Sequence, residues 1–169
     1  MFKKATISIV LLTGSFVGFA AADPVIIQST IPYAADAKVA QKVRNECVEL
    51  GAQFASFTKE FGEKYEVEVQ LSDTLDPSAK GRVLQMEITE AVSQGNAFIG
   101  HRKFSSARGT LYENGEKVAS FEALRQSGGG AFAGYKGSCS VLGRTVKAMG
   151  KDVAQWLQAP TDNAALGDM

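Results

Sequence analysis

Apolar residues recur at helical spacing in two distant segments. Val39, Val43, Cys47, Leu50, Phe54, Phe57 and Phe61 step by fours and threes, and so do Cys139, Leu142, Val146, Met149, Val153 and Trp156. Each set traces one face of an α-helix. The spacing predicts a first helix from about Asp36 to Phe61, stopped by Gly62. It predicts a closing helix capped by Ser138 or Ser140 and ended by Pro160. Lys42, Glu46, Glu49 and Lys59 fall off the first stripe, as a solvent face requires. Gly143 and Gly150 lie on the apolar side of the closing helix. Interior glycine weakens a helix by roughly 1 kcal/mol relative to alanine, so two of them there predict close approach by another backbone.

Between these segments the period changes to two. Val67, Val69 and Leu71 alternate with Glu66, Glu68 and Gln70, and Leu84, Met86 and Ile88 with Gln85, Glu87 and Thr89. Both are patterns of half-buried strands. Asp73 to Gly81, with Asp76-Pro77 inside, reads as turn, and 93–102, with Gly95-Asn96 and Gly100, as a looser connection. Asn114-Gly115 predicts a two-residue hairpin turn between strands over about 103–112 and 117–125. Such a turn sets Leu111 opposite Val118 and Arg108 opposite Phe121. The buried face of the hairpin stays open at this point: Phe104, Ala119, Phe121 and Ala123 argue for one side, Leu111, Val118 and Leu124 for the other.

Residues 23–35 carry Val25, Ile26, Ile27 and Ile31 broken by Pro24 and Pro32, which fits a short edge strand or an extended arm. The expected fold class is α+β: an antiparallel sheet of about four strands with two long helices packed on one face. Residues 161–169 read as a disordered tail.

The N-terminus changes the setting. Residues 1–22 read as a cleavable signal peptide: Lys3 and Lys4, an apolar stretch from Ile7 to Ala20, then Ala20-Ala21-Ala22 before Asp23. Thr13, Gly14 and Ser15 interrupt the stretch, which is short for a membrane span. The expected mature chain is a single α+β domain over 23–160 with no transmembrane span, located in the periplasm. Removing Lys3 and Lys4 from a balance of 18 basic and 18 acidic residues leaves a net charge of −2. With no basic block, the composition argues against nucleic acid and against attachment to anionic lipid.

An oxidising compartment gives the two cysteines a role. Cys47 and Cys139 both fall on apolar helix faces, with Gly51 and Gly143 one turn further on. The expected arrangement is a Cys47–Cys139 disulfide clamping the two helices, and the alternative is two unlinked buried thiols.

Other chemistry is sparse. The single histidine, His101, sits beside Gly100 and Arg102 in an expected loop and reads as solvated. No second histidine or further cysteine pair completes a zinc site, and Asp73 and Asp76 lack the spacing of a calcium loop. Glu87 and Glu90 fall on opposite faces of their strand. The run from Gly128 to Gly137 lacks the Gly-Lys-Ser/Thr ending of a phosphate loop. The expectation is no catalytic residue, no metal and no cofactor, hence no enzyme. Gly128, Gly129, Gly130, Phe132 and Tyr135 form a candidate docking loop before a helix N-terminus, the alternative being a connector whose aromatics tuck against the sheet.

Gly115, Phe121, Gly128-Gly129-Gly130, Leu142-Gly143 and Gly150-Lys151-Asp152-Val153-Ala154-Gln155-Trp156-Leu157 follow the segment Gly81-Arg82-Val83-Leu84-Gln85-Met86-Glu87-Ile88. This combination, over roughly Val67 to Leu157, resembles a family of small exported bacterial envelope proteins known as a domain of unknown function, many of them lipoproteins. The resemblance implies a strand, a hairpin, a glycine-rich loop and a helix in that order, in the cell envelope, and it implies no catalytic residues. The cysteine that would carry a lipid is missing after the expected cleavage site. The expected function is a non-catalytic module that binds another envelope protein or its own copies. The alternative is a small-ligand binder with a pocket between helices and sheet.

Overall fold

The computed structural model describes residues 23–96, 100–127 and 137–169. In chain order the elements are β1 (Val25–Gln28), β2 (Tyr33–Val39), α1 (Gln41–Glu46), α2 (Leu50–Lys64), β3 (Val69–Ser72), β4 (Arg82–Asn96), β5 (Gly100–Glu113), β6 (Glu116–Gln126), α3 (Ser138–Trp156) and β7 (Ala164–Gly167). The signal-peptide reading of residues 1–22 lies outside the described residues.

The centre of the sheet is the antiparallel meander β4-β5-β6. Asn114 and Gly115 make the turn between β5 and β6 with φ of 53° and 87°, the left-handed values that a two-residue hairpin requires. The turn docks on the chain just before β4: Asn114 N–H donates to the Gly81 carbonyl and Asn114 Oδ1 accepts from Gly81 N–H. Residues 93–96 and 100–102, expected to belong to a looser connection, instead continue the ladder, with Gln94 opposite Arg102 and Asn96 opposite Gly100.

The expected sheet of about four antiparallel strands is overturned. Seven strands form one mixed sheet in the order β3-β1-β4-β5-β6-β7, and β2 also pairs with β4. β1 runs parallel to β3 and β4, β2 parallel to β4, and β7 parallel to β6. β1 and β2 occupy successive stretches of the same β4 edge, around Arg82–Val83 and Ile88–Ala91. The reason is topological. The chain leaves β1, passes through β2 and two helices and returns as β3; it leaves β6, passes through α3 and returns as β7. Such crossovers yield parallel pairs, whereas hairpins yield antiparallel ones.

Two further expectations change. The helix placed from Asp36 to Phe61 is three elements: β2 takes Asp36 and Val39, and the chain leaves helical geometry at Cys47, where φ is −106° and ψ 47°. The apolar stripe survives the break, because Val43, Cys47, Leu50 and Phe54 are all buried. The tail expected to be disordered contributes β7, whose Ala164 and Leu166 pack against the core.

Helices α2 and α3 lie side by side over one face of the sheet and share its core. Their approach is close where glycine permits it. A Cβ on Gly150 would stand 2.9 Å from Thr58 N, so α3 meets the α2 backbone there. Leu142, Val146, Met149, Val153 and Trp156 point inward, and the Trp156 ring meets Phe121 edge-on at 5.0 Å. A buried hydroxyl pair joins α3 to the sheet. Thr145 donates to the Leu142 carbonyl, so the buried Ser105 hydroxyl donates to Thr145, at 2.7 Å. No helix among the described residues is long and apolar enough to cross a membrane.

Candidate functional site

Among the described residues, the helices lie on one face of the sheet. Two one-residue irregularities decide what the other face carries. In β4 the register against β5 slips between Ile88 and Glu90. Ile88 and Ala91 are therefore both buried, and Glu87 and Glu90 both reach the outer face rather than opposite faces as the plain alternation implies. In β6 the register slips at Val118, between the pairs Tyr112–Lys117 and Leu111–Ala119. That bulge settles the hairpin: Leu111, Ala119, Phe121 and Ala123 share the buried face, and Val118 is left exposed. It also moves Gly109, not Arg108, opposite Phe121, and Arg108 opposite Glu122. The Phe121 ring lies over Gly109, where an added Cβ would meet it at 2.3 Å.

Glu87, Arg108 and Glu122 thus form one cross-strand row on β4, β5 and β6. Arg108 Nη2 and Nε donate to Glu87 Oε2 at 2.9 and 3.1 Å, and Nη2 also donates to Asp36 Oδ1 at 3.2 Å. The Glu87 hydrogen bonds raise the Arg108 pKa above its ordinary value, desolvation opposes them, and Asp36 adds to the rise. Lys38 pairs with Glu90 at 3.5 Å. Glu122 has no ion pair among the described residues. Shallow troughs of about 320 and 360 Å³ flank Arg108, walled by small polar side chains such as Ser106, Thr110 and Ser120. The space between helices and sheet, where the alternative small-ligand reading sets a pocket, holds the core side chains Phe54, Leu84, Met86 and Phe121.

β7 borders this face and is fastened at both ends. At its start the Asp162 carboxylate accepts from the Ser120 hydroxyl and pairs with Lys117 at 3.1 Å. At its end Asp168 takes Arg125 Nη1 at 2.8 Å, and the Gln126 N–H donates to its other oxygen. Arg125 also donates twice to Asp152 of α3, at 2.7 Å each, and those bonds raise its pKa well above the ordinary value. The Ser120 and Lys117 contacts hold the exposed Asp162 carboxyl below its usual range. A carboxyl with a depressed folded-state pKa contributes stability above its unfolded value, near 4, that is lost as the pH falls through the lower folded value. Hydrogen exchange of the β7 amides, corrected for intrinsic rates, is expected to stay constant near neutrality and to quicken below about pH 4. Asp162→Asn is expected to remove that pH dependence. An unchanged acid step in the variant would assign it to another carboxylate.

The sequence-based candidates are distributed as follows. Cys47 and Cys139 are joined by a disulfide with Cα atoms 5.2 Å apart, linking the end of α1 to the first turn of α3. Gly128, Gly129, Gly130, Phe132 and Tyr135 lie outside the described residues. His101 falls in β5 opposite Gly95, not in a loop. Among the described residues no group of three His, Cys, Asp or Glu side chains could hold a metal. Asp36, Glu87, Arg108 and Glu122 were not singled out as a group from the sequence, because the pairing of β2 and β5 with β4 brings the first three together and the bulge at Val118 sets Glu122 opposite Arg108.

No protein-family model matches the chain, and no curated protein matches it. Solved structures show weak likeness. A point variant of PelC, a dodecamer from Paraburkholderia phytofirmans, is 15% identical with a TM-score of 0.49, over 82% of this chain and 93% of that one. A second PelC dodecamer from the same organism is 11% identical, with a TM-score of 0.47 over 82% and 93%. A minor lipoprotein from Acinetobacter baumannii is 7% identical, with a TM-score of 0.46 over 83% and 95%. Likeness of this strength transfers neither activity nor assembly state to this chain.

Proposed function

We propose that this chain is an exported, non-catalytic protein of the cell envelope that binds other protein through the outer face of its sheet. The observation that carries the reading is the outer face, which no helix among the described residues covers: a charged row across β4, β5 and β6, flanked by troughs and bordered by β7. Small hydroxyl side chains leave that surface flat enough for a protein partner, and its charges supply orientation rather than bulk affinity. The Cys47–Cys139 bond supports an oxidising compartment, and the apolar segment at the N-terminus supports export. Three of the groups with shifted pKa support a structural use of charge: Arg108, Arg125 and Asp162 each bond to a neighbouring element.

The test is a photo-crosslinking amino acid placed at Thr110 on the outer face, and as a control at Lys80 beside the turn, in protein expressed with its leader. Covalent protein adducts at Thr110 and not at Lys80 are the expected result. Absence of adducts at Thr110, with the protein folded, would overturn the reading.

A further inference from the structure

We infer that the outer sheet face of one copy receives helix α3 of a second copy, so that the chain associates head to tail; this rests on the protein-binding reading above. The exposed stripe of α3 is Ser140, Arg144, Lys147, Lys151 and Gln155. It carries three cations and no anion, because Asp152, the one acid of the helix, is turned away onto Arg125. Arg144 and Lys151 have no ion pair among the described residues, while Lys147 stands 5.2 Å from the Phe57 ring and feels the Glu60 carboxylate of α2.

The opposite side of the molecule has the complementary balance. Asp36, Glu87, Glu90 and Glu122 face Lys38 and Arg108, a net charge of −2. The spacing matches as well. Strands lie about 4.8 Å apart, so Glu87 and Glu122, on either side of β5, are about 10 Å apart at the backbone. Arg144 and Lys151 are two helical turns apart, a rise of about 10.5 Å. A helix crossing the strands sets one cation toward Glu122 and the other toward the Glu87–Asp36 side, to which Arg108 is already drawn. Ser106, Thr110 and Ser120 leave room for the cationic side chains to enter.

The two surfaces lie on opposite layers of one chain, so the contact is not self-complementary. Each copy offers a helix to one neighbour and a sheet face to another, which gives a closed ring or an open filament according to the rotation between copies. Because the pairs are exposed, salt screens them over a Debye length of about 8 Å at physiological strength.

Sedimentation velocity of the mature, oxidised chain tests this with a charge swap. Wild type is expected above monomer mass, dissociating as salt is raised. Arg144→Glu/Lys147→Glu/Lys151→Glu is expected to be monomeric, with acid on both surfaces. Asp36→Lys/Glu122→Lys, which keeps the Glu87–Arg108 bond, is expected to be monomeric with base on both. Mixing the two variants lets them alternate with complementary pairs, and is expected to restore assembly, to the wild-type mass in a filament or in a ring with an even number of copies. Melting curves establish that both variants are folded; if the triple variant unfolds, the α3 single variant Lys151→Glu, mixed with Glu122→Lys, makes the same comparison. A monomeric wild type, an assembly indifferent to both swaps, or a mixture that stays monomeric would each overturn the inference. Thr110 crosslinks to a different protein, with wild type monomeric, would sink the second copy as partner while leaving the binding reading intact.

Discussion

Phe121→Ala is expected to destabilise the protein by about 3–5 kcal/mol, and Gly109→Ala by about 1–3 kcal/mol, with the double variant well short of the sum. The two act on one space. Phe121 is almost wholly buried on β6, its ring lies over Gly109 of the neighbouring strand, and its edge meets Trp156 of α3. Removing the ring empties the joint between sheet and helix layer. Adding a methyl at Gly109 drives that ring from the same position. Once the ring is gone, the methyl has room and recovers part of the lost contact. Denaturant unfolding of the four proteins gives the coupling energy directly. Additivity within about 0.5 kcal/mol would mean that Phe121 does not sit opposite Gly109. The bulge at Val118 would then be wrong, and with it the row that aligns Arg108 with Glu122. A core measurement therefore checks the register on which the candidate site depends.

That register marks the boundary of what the sequence discloses. Leu84, Met86 and Ile88 announce a strand because their alternation is unbroken, and Asn114-Gly115 announces its turn because few residue pairs accept two left-handed conformations. A bulge has no such signal. Val118 looks like one more apolar residue in a strand, and only packing of Leu111 with Ala119 and Phe121 expels it. Thr89 is equally silent, although the slip beside it brings Glu87 and Glu90 to one face. An extra residue reverses the facing of everything beyond it, so a site composed across three strands stays hidden even when every strand is located.

The parallel pairing was hidden for a different reason. The alternation through Val69 and Leu71 marks β3 as a strand and the β-branched run marks β1, but neither shows its partner, which is distant in the chain; the four residues of β7 are too few to display a period. β7 has little apolar surface of its own, and carboxylates at its two ends, Asp162 and Asp168, fasten it to β6. The long helices behave otherwise. Their stripes span several turns, and the stripe through Val43, Cys47, Leu50 and Phe54 stays buried although the backbone breaks within it. Burial selects the side of the chain that faces the core, and a short non-helical step is tolerated if it preserves that side.

The break at Cys47 is also where the second large effect is expected. Cys47→Ala/Cys139→Ala should lower the unfolding free energy by on the order of 4–5 kcal/mol, since the bond closes a loop of 92 residues and restrains the unfolded chain over most of the domain. Locally it ties α1, whose buried apolar anchor is Val43, to the first turn of α3. Hydrogen exchange in Gln41–Glu46 should therefore quicken in the variant, ahead of exchange in the β4-β5-β6 meander, whose ladder the bond does not touch. Intact mass after alkylation, with and without reductant, establishes the bond in the purified protein. Two free thiols in protein isolated from the envelope, or a variant within about 1 kcal/mol of wild type, would remove both the staple and the main physical support for an oxidising compartment.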